Sequence, residues 1–220
     1  MAVALDFGEV LVHWPLLLRG LGLTVLLTGG ATVAGLLVGV ACAWARAWGP
    51  AWLGATAAAY VELIRNTPFI VQLFFIFFGL PSLGLRLTPE TASLIAMVVN
   101  LGAYAGEIVR AGVDATPRGQ VEAGLALAMS RAQVFRRVVL PPALARVWPA
   151  MTSQIVIVML GSAVCGQIAA QELSYYANLI HSRNFRAFEA FIVVTLIYLG
   201  LAIALRQVLA WIGPRWIFGR

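Results

Sequence analysis

The stretch Gly119–Pro141, GQVEAGLALAMSRAQVFRRVVLP, is the longest part of this chain that a bilayer cannot accept. Arg131, Arg136 and Arg137 crowd into one short segment, and each guanidinium would be costly at the membrane centre. The composition is still helical, because Ala, Leu, Met and Gln all favour helix. Ser130 followed three residues later by Gln133 is the signature of a capping box opening a second helix. Leu140-Pro141-Pro142 is expected to stop that helix, since proline lacks the amide and restricts the residue before it. The stretch therefore predicts a short helix, a break and a second, basic helix, standing in water between two apolar spans.

The rest of the chain is apolar. Hydrophobic residues make up 61% of the 220 and charged residues 11%, and the mean hydropathy is +0.91. A soluble domain carries about a quarter charged residues, so this is an integral membrane protein. A pI of 10.1 would also suit a nucleic-acid binder, but the arginines punctuate apolar runs instead of forming one solvated patch, and that is membrane topology. All fifteen basic residues are arginine. A P-loop needs a lysine at the phosphates, so ATP is not bound that way here, and no cofactor is expected in the chain. Cys42 and Cys165 lie far apart in apolar runs and read as small buried hydrophobes. His13 and His181 are isolated, and no metal site or catalytic set is proposed.

Taken in order, the chain predicts an all-α polytopic fold of about five spans, forming one transmembrane domain over residues 1–220. The spans are 16–45, 52–80, 90–110, 147–170 and 187–211, with the polar loop at 113–146. Residues 1–15 carry no basic residue, unlike the start of a signal peptide, and are expected to be retained as a short outer piece. Gly35-Leu-Leu-Val-Gly39 is a GxxxG pattern that suits either packing within the subunit or a face for a second one. In the second span, Glu62, Arg65 and Asn66 precede the breaker Thr67-Pro68. Glu62 either lines a polar entry or pairs with Arg65 at i,i+3. In the third, Asn100, Tyr104 and Glu107 share one helical face. Tyr104 and Glu107 suit contacts between helices, and Asn100, nearer the middle, suits the solute path. In the fourth, Gln154 and Ser162 are further path candidates. The polar, aromatic stretch 171–190 reads as an outer interfacial helix and loop.

Arginine positions set the orientation. Arg46, Arg110, Arg118, Arg131, Arg136, Arg137, Arg146, Arg206, Arg215 and Arg220 fall at the ends on the loop's side, and Arg19, Arg86, Arg183 and Arg186 at the others. That bias predicts the N-terminus outside and the C-terminus inside. A five-helix subunit is too small to enclose a hydrophilic path alone, so two subunits are expected around it.

Glu122-Ala123-Gly124, then Ala128, Val138 and Leu140-Pro141, resemble the EAA loop of ABC-importer permeases. That pattern is Glu-Ala-Ala, three residues, Gly, nine residues, Ile, one residue, Leu-Pro. The spacing agrees throughout, with Gly124 standing where the family usually has Ala and Ala128 where it has Gly. GAYAGEIVRAG (102–112) and RNTPFIVQLFFIFFGLP (65–81) resemble the polar amino-acid branch, the histidine and glutamine permease group. The resemblance spans about Arg19 to Trp211. It implies a second permease, identical or homologous, two cytoplasmic ATPases that bind ATP and Mg, and an external solute-binding protein. It also implies that the loop helix couples to the ATPase through Glu122, Ala123, Gly124, Ala128, Met129 and Ser130. One departure stands in span four, where many relatives have Lys-Asp-Thr-Ser-Leu and this chain has Leu160-Gly161-Ser162-Ala163-Val164. Solute choice then falls to the binding protein, to a sister permease, or to neutral groups such as Asn100 and Gln154. A permease for an opine or a compatible solute is the near alternative. A secondary transporter would show inverted repeats with matching broken helices, and none is visible. A membrane scaffold would have no need of an internally capped loop.

Overall fold

A computed structural model describes residues 5–217, and every regular element among them is helical. A short helix α1 (Gly8–Leu11) precedes α2 (Trp14–Trp48). Gly49-Pro50 ends α2, and α3 (Ala51–Arg65) follows. The chain turns through Asn66-Thr67-Pro68 into α4 (Phe69–Phe74), which loosens to a π-turn at Phe75–Gly79 and tightens to a 3-10 turn at Leu80–Leu83. Then come α5 (Pro89–Asp114), α6 (Arg118–Ala126), α7 (Arg131–Val134) and α8 (Leu140–Gly161). A 3-10 segment, Ser162–Ile168, leads to α9 (Leu173–Asn184) and α10 (Ala187–Ile212).

Among the described residues four helical stretches are long and apolar enough to cross a membrane: Trp14–Trp48, Pro89–Asp114, Arg131–Ile168 and Ala187–Arg215. A fifth is reached if Ala51–Arg65 and Phe69–Leu83, bent by 109° at their break, count together. The all-α polytopic architecture is therefore as expected. Arg46 falls in the last turn of α2, just ahead of Gly49-Pro50. One boundary differs, at Pro141-Pro142, where the helix does not stop. It widens through a π-turn, Phe135–Val139, and continues as α8. A π-turn lengthens the hydrogen-bond ring by one residue, which makes room for ring atoms that would otherwise meet the preceding turn. Both prolines then fall in the first turn of α8, where a missing amide costs least. Pro149, inside α8, leaves it unbroken as well.

The described residues pack as two units. The first takes the chain up to Ala31, Phe69–Met97 and Ile157–Ala204, around fully buried Leu17, Leu73, Met97, Met159, Leu173 and Ile180. The second takes Thr32–Pro68, Val98–Val156 and the chain from Leu205, around Val61, Leu101, Val109, Met151 and Ile155. In this second unit α2 meets α5 with almost no side chain between them. A Cβ on Gly39 would lie 2.5 Å from the Ala105 Cβ and 2.9 Å from backbone, and one on Gly35 would lie 2.9 Å from Leu101. The GxxxG pattern is thus spent on packing inside the subunit. Trp148 donates its indole N–H to the Leu209 carbonyl at 3.0 Å, joining α8 to α10. Gly39→Val should destabilise the folded chain by about 1–3 kcal/mol through overpacking, seen as lower yield and a lower unfolding midpoint in detergent. Gly22→Ala, with nothing within 4 Å, should leave both unchanged.

Candidate functional site

Helix α6 is defined at both ends. Pro117 precedes it, with Gln120 N–H on the Pro117 carbonyl at 3.0 Å. At the other end Leu127 (φ −82°) is followed by Ala128 in the left-handed region, φ 57°. Ala128 N–H donates to the Leu125 carbonyl at 3.0 Å and Met129 N–H to the Gly124 carbonyl at 3.2 Å. This pair of bonds is a Schellman stop, a position that favours glycine. Two residues on, the expected capping box is present: Gln133 N–H donates to Ser130 Oγ at 3.3 Å, and Ser130 N–H to Gln133 Oε1 at 2.8 Å. Phe135, nearly buried, stands edge-on to Trp48 with ring centroids 6.1 Å apart. Arg146 donates to the Ala115 carbonyl at 2.9 Å, closing the loop onto the end of α5.

The loop residues singled out from the sequence separate on this frame. Glu122, Ala123, Ala128 and Ser130 are exposed, and Met129 is half-buried. Gly124 is turned inward, where a Cβ would lie 3.0 Å from Val134 Cγ2, so it does not belong to a presented small-residue face. Glu122 sits in the fifth position of α6 and not at its start, so it does not cap the helix dipole. It lines a cleft of about 320 Å³ with Trp48, Asp114 and Arg118. Leu127, 77% exposed, and Leu125, 45% exposed, are apolar residues that the tripeptide pattern does not mark.

A charged cluster ties α2, α3 and α5 together. Glu107 accepts from Arg46 Nη1 at 2.6 Å and from Arg110 Nη2 at 2.5 Å, and Arg110 also reaches Asp114. Arg65 lies 4.0 Å from Glu107, with its guanidinium 5.6 Å over the Tyr104 ring. Tyr104 and Glu107 are therefore contacts between helices. Arg65 does not pair with Glu62, whose carboxylate instead accepts from Asn66 Nδ2 at 3.1 Å. Asn100 and Gln154 are half-buried on α5 and α8. Ser162 is fully buried and its hydroxyl donates to the Met159 carbonyl at 2.6 Å, within its own chain turn.

In the first unit the stretch after Gln171 is more than an interfacial loop. Glu172 is fully buried. Its carboxylate caps α9 through Tyr175 N–H at 2.8 Å, and accepts from Ser174 Oγ and Tyr198 Oη, each at 2.5 Å. Leu173 N–H donates to Thr24 Oγ1 at 3.3 Å. The available signal was the i, i+3, i+4, i+7 run of Leu173, Tyr176, Ala177 and Ile180, which gives α9 a buried face.

Apolar helices of spanning length, an ion-pair cluster joining α2, α3 and α5, and a polar loop with its own short helix define a polytopic membrane protein of the permease kind. The sequence pattern of the family "Binding-protein-dependent transport system inner membrane component" matches residues 31–218, and the chain belongs to that family. It is 36% identical over 206 residues to the glutamine transport system permease protein GlnP of Escherichia coli K12, covering 93% of this chain and 94% of that one. It is 34% identical over 182 residues to the probable glutamine ABC transporter permease protein GlnM of Bacillus subtilis 168, covering 83% and 84%. Its fold matches the crystal structure of an amino acid ABC transporter with histidines at a TM-score of 0.85 and 32% identity, over 97% of this chain and all of that one.

Two outcomes test the site's energetics. Ala128→Gly removes a left-handed alanine and should stabilise the loop by up to about 1 kcal/mol, slowing hydrogen exchange at the Met129 amide up to roughly fivefold. Glu107→Gln removes the negative charge and leaves Arg46 and Arg110 one neutral carbonyl oxygen to share, which should cost about 1–3 kcal/mol at this part-exposed site. An unfolding midpoint equal to that of the wild type would show that these ion pairs hold nothing together.

Proposed function

We propose that this chain is the permease subunit of an ATP-binding-cassette importer, passing a polar amino acid delivered by an external binding protein. Its relatives' names support the solute class, and the resemblance of its loop supports the partners. Two cytoplasmic ATPases bind ATP and Mg and hydrolyse the nucleotide, while this chain, which has no lysine for a P-loop, catalyses nothing. A second permease, identical or homologous, completes the path. The N-terminus lies outside and the C-terminus inside, as the arginine bias favours.

The observation that carries this reading is α6. A short helix, closed at its C-terminal end by a Schellman stop, presents Ala123 and Leu125 to solvent, and the turn after it presents Leu127 and Ala128, from a chain whose other apolar surface has lipid to face. Small and aliphatic residues on a rigid helix suit insertion into a groove on a partner. Ala123→Arg or Leu127→Arg should leave the permease inserted in the membrane but unable to retain its ATPase through detergent purification. Uptake of the amino acid should fall at least tenfold, about 1.4 kcal/mol or more of coupling. A variant that keeps both the ATPase and normal uptake would remove α6 from the coupling role.

A further inference from the structure

The C-terminal end of α3 carries two charged groups that the fold leaves only partly used. Glu62 and Arg65 stand at i,i+3, where opposite charges on a helix ordinarily meet. Here they are held apart. Asn66 Nδ2 donates both to the Glu62 carbonyl at 2.8 Å and to its carboxylate at 3.1 Å, so the carboxylate is steadied by a neutral amide and not by a cation. Arg65 is drawn over Tyr104 toward Glu107, but at 4.0 Å it makes no hydrogen bond there. Glu107 is already taken by Arg46 and Arg110 at 2.6 and 2.5 Å. Three guanidinium groups, of Arg46, Arg65 and Arg110, thus face two carboxylates, of Glu107 and Asp114. One positive charge is left over, on the arginine whose side chain is 38% exposed.

Glu62 and Asn66 are exposed beside it, and the helix breaks directly after them at Thr67-Pro68. Arg65 shares its cluster with Arg46 and Arg110, which fall at the helix ends on the loop's side, and exposed charge beside an interrupted backbone there meets water or a polar solute and not lipid. We propose that Arg65 and Glu62 form a subsite for the zwitterionic end of an amino acid. The guanidinium takes the α-carboxylate, for which its planar fork is suited, and the Glu62 carboxylate takes the α-ammonium. Tyr104 and Glu107 position Arg65, and Asn66 positions Glu62. The inference rests on the amino-acid reading above and deepens it. Such a subsite recognises what all α-amino acids share and leaves the side chain to be chosen elsewhere.

The test uses the complete permease–ATPase complex, free of binding protein, and equilibrium binding of radiolabelled L-glutamine. Unlabelled L-glutamine, its α-amide and its N-acetyl derivative compete. The wild type should prefer the free acid over the α-amide by about tenfold, the worth of one charge-assisted contact. Arg65→Gln should reduce that preference to below about threefold while keeping discrimination against the N-acetyl compound, and Glu62→Gln should do the reverse. A merely structural role would weaken all three ligands together. Should Arg65→Gln fail to assemble, Arg65→Lys retains charge without the fork and should show an intermediate preference. Glu62→Gln stands independently, because the Glu62 carboxylate accepts only from its own helix end. Full acid preference in Arg65→Gln overturns the subsite. A wild-type complex that takes up amino acids yet binds acid and amide alike overturns it too and leaves the transport reading standing. A complex that, with its binding protein, moves no amino acid overturns both.

Discussion

Glu107 gathers guanidinium groups from three helices, and the arrangement of the second unit depends on it. At the effective dielectric of a protein boundary, opposite charges 4 Å apart attract by about 4 kcal/mol, against roughly 1 in water. That attraction is kept only if every partner stays in place. Arg46 lies two turns beyond Gly39 on α2, and Glu107 lies two residues beyond Ala105 on α5. The same pair of helices is thus registered twice: by shape where a glycine lets them touch, and by charge where a carboxylate holds them. Packing between small residues is what brings helices close in an apolar solvent. The ion pairs then decide which rotation about that contact survives.

The class of fold was legible because bilayer chemistry writes itself into composition. Apolar runs of spanning length and arginines at their ends need no tertiary information to read. The capping box at Ser130 was equally legible, since its two hydrogen bonds are local. What failed were readings that depend on how the backbone absorbs strain. Pro141-Pro142 looked like a stop, because proline rules describe an ideal α-helix, and a π-turn one step earlier relieves the conflict. The inward turn of Gly124 was invisible because it depends on Val134, ten residues on and beyond a chain reversal. The pairing of Arg65 was invisible for a related reason. A helix i,i+3 rule offered it Glu62, while α5 offered Tyr104 and Glu107, and tertiary contact prevailed.

Polar residues read as path candidates sort along the same line. Ser162 could be counted as an intramembrane hydroxyl, but a serine can satisfy itself on a carbonyl one turn back, and this one does. Glu172 shows the opposite error. A carboxylate in a polar, aromatic stretch looked like surface, yet it caps α9 and is closed over by Tyr198. Counting charges cannot distinguish these cases. Counting the donors that a fold brings within reach can.

The loop shows why a residue pattern and its spacing are separable. Relatives with the resembling motif usually carry alanine where this chain has Gly124 and glycine where it has Ala128. The structure gives each position a different demand. Position 124 needs a small residue because Val134 crowds it, and position 128 needs one that tolerates φ 57°. Glycine at 124 meets the first demand at some cost in helix propensity, and alanine at 128 accepts some strain at the second. Neither cost undoes the helix, because the Schellman bonds and the capping box fix the chain on both sides of the turn. The result is a short helix closed at its C-terminal end, with Ala123 and Leu125 exposed beside Arg118 and Glu122. Beyond the turn, α7, the π-turn and α8 form one continuous path of helix as far as Gly161. The π-turn that accommodates Pro141-Pro142 keeps that path intact.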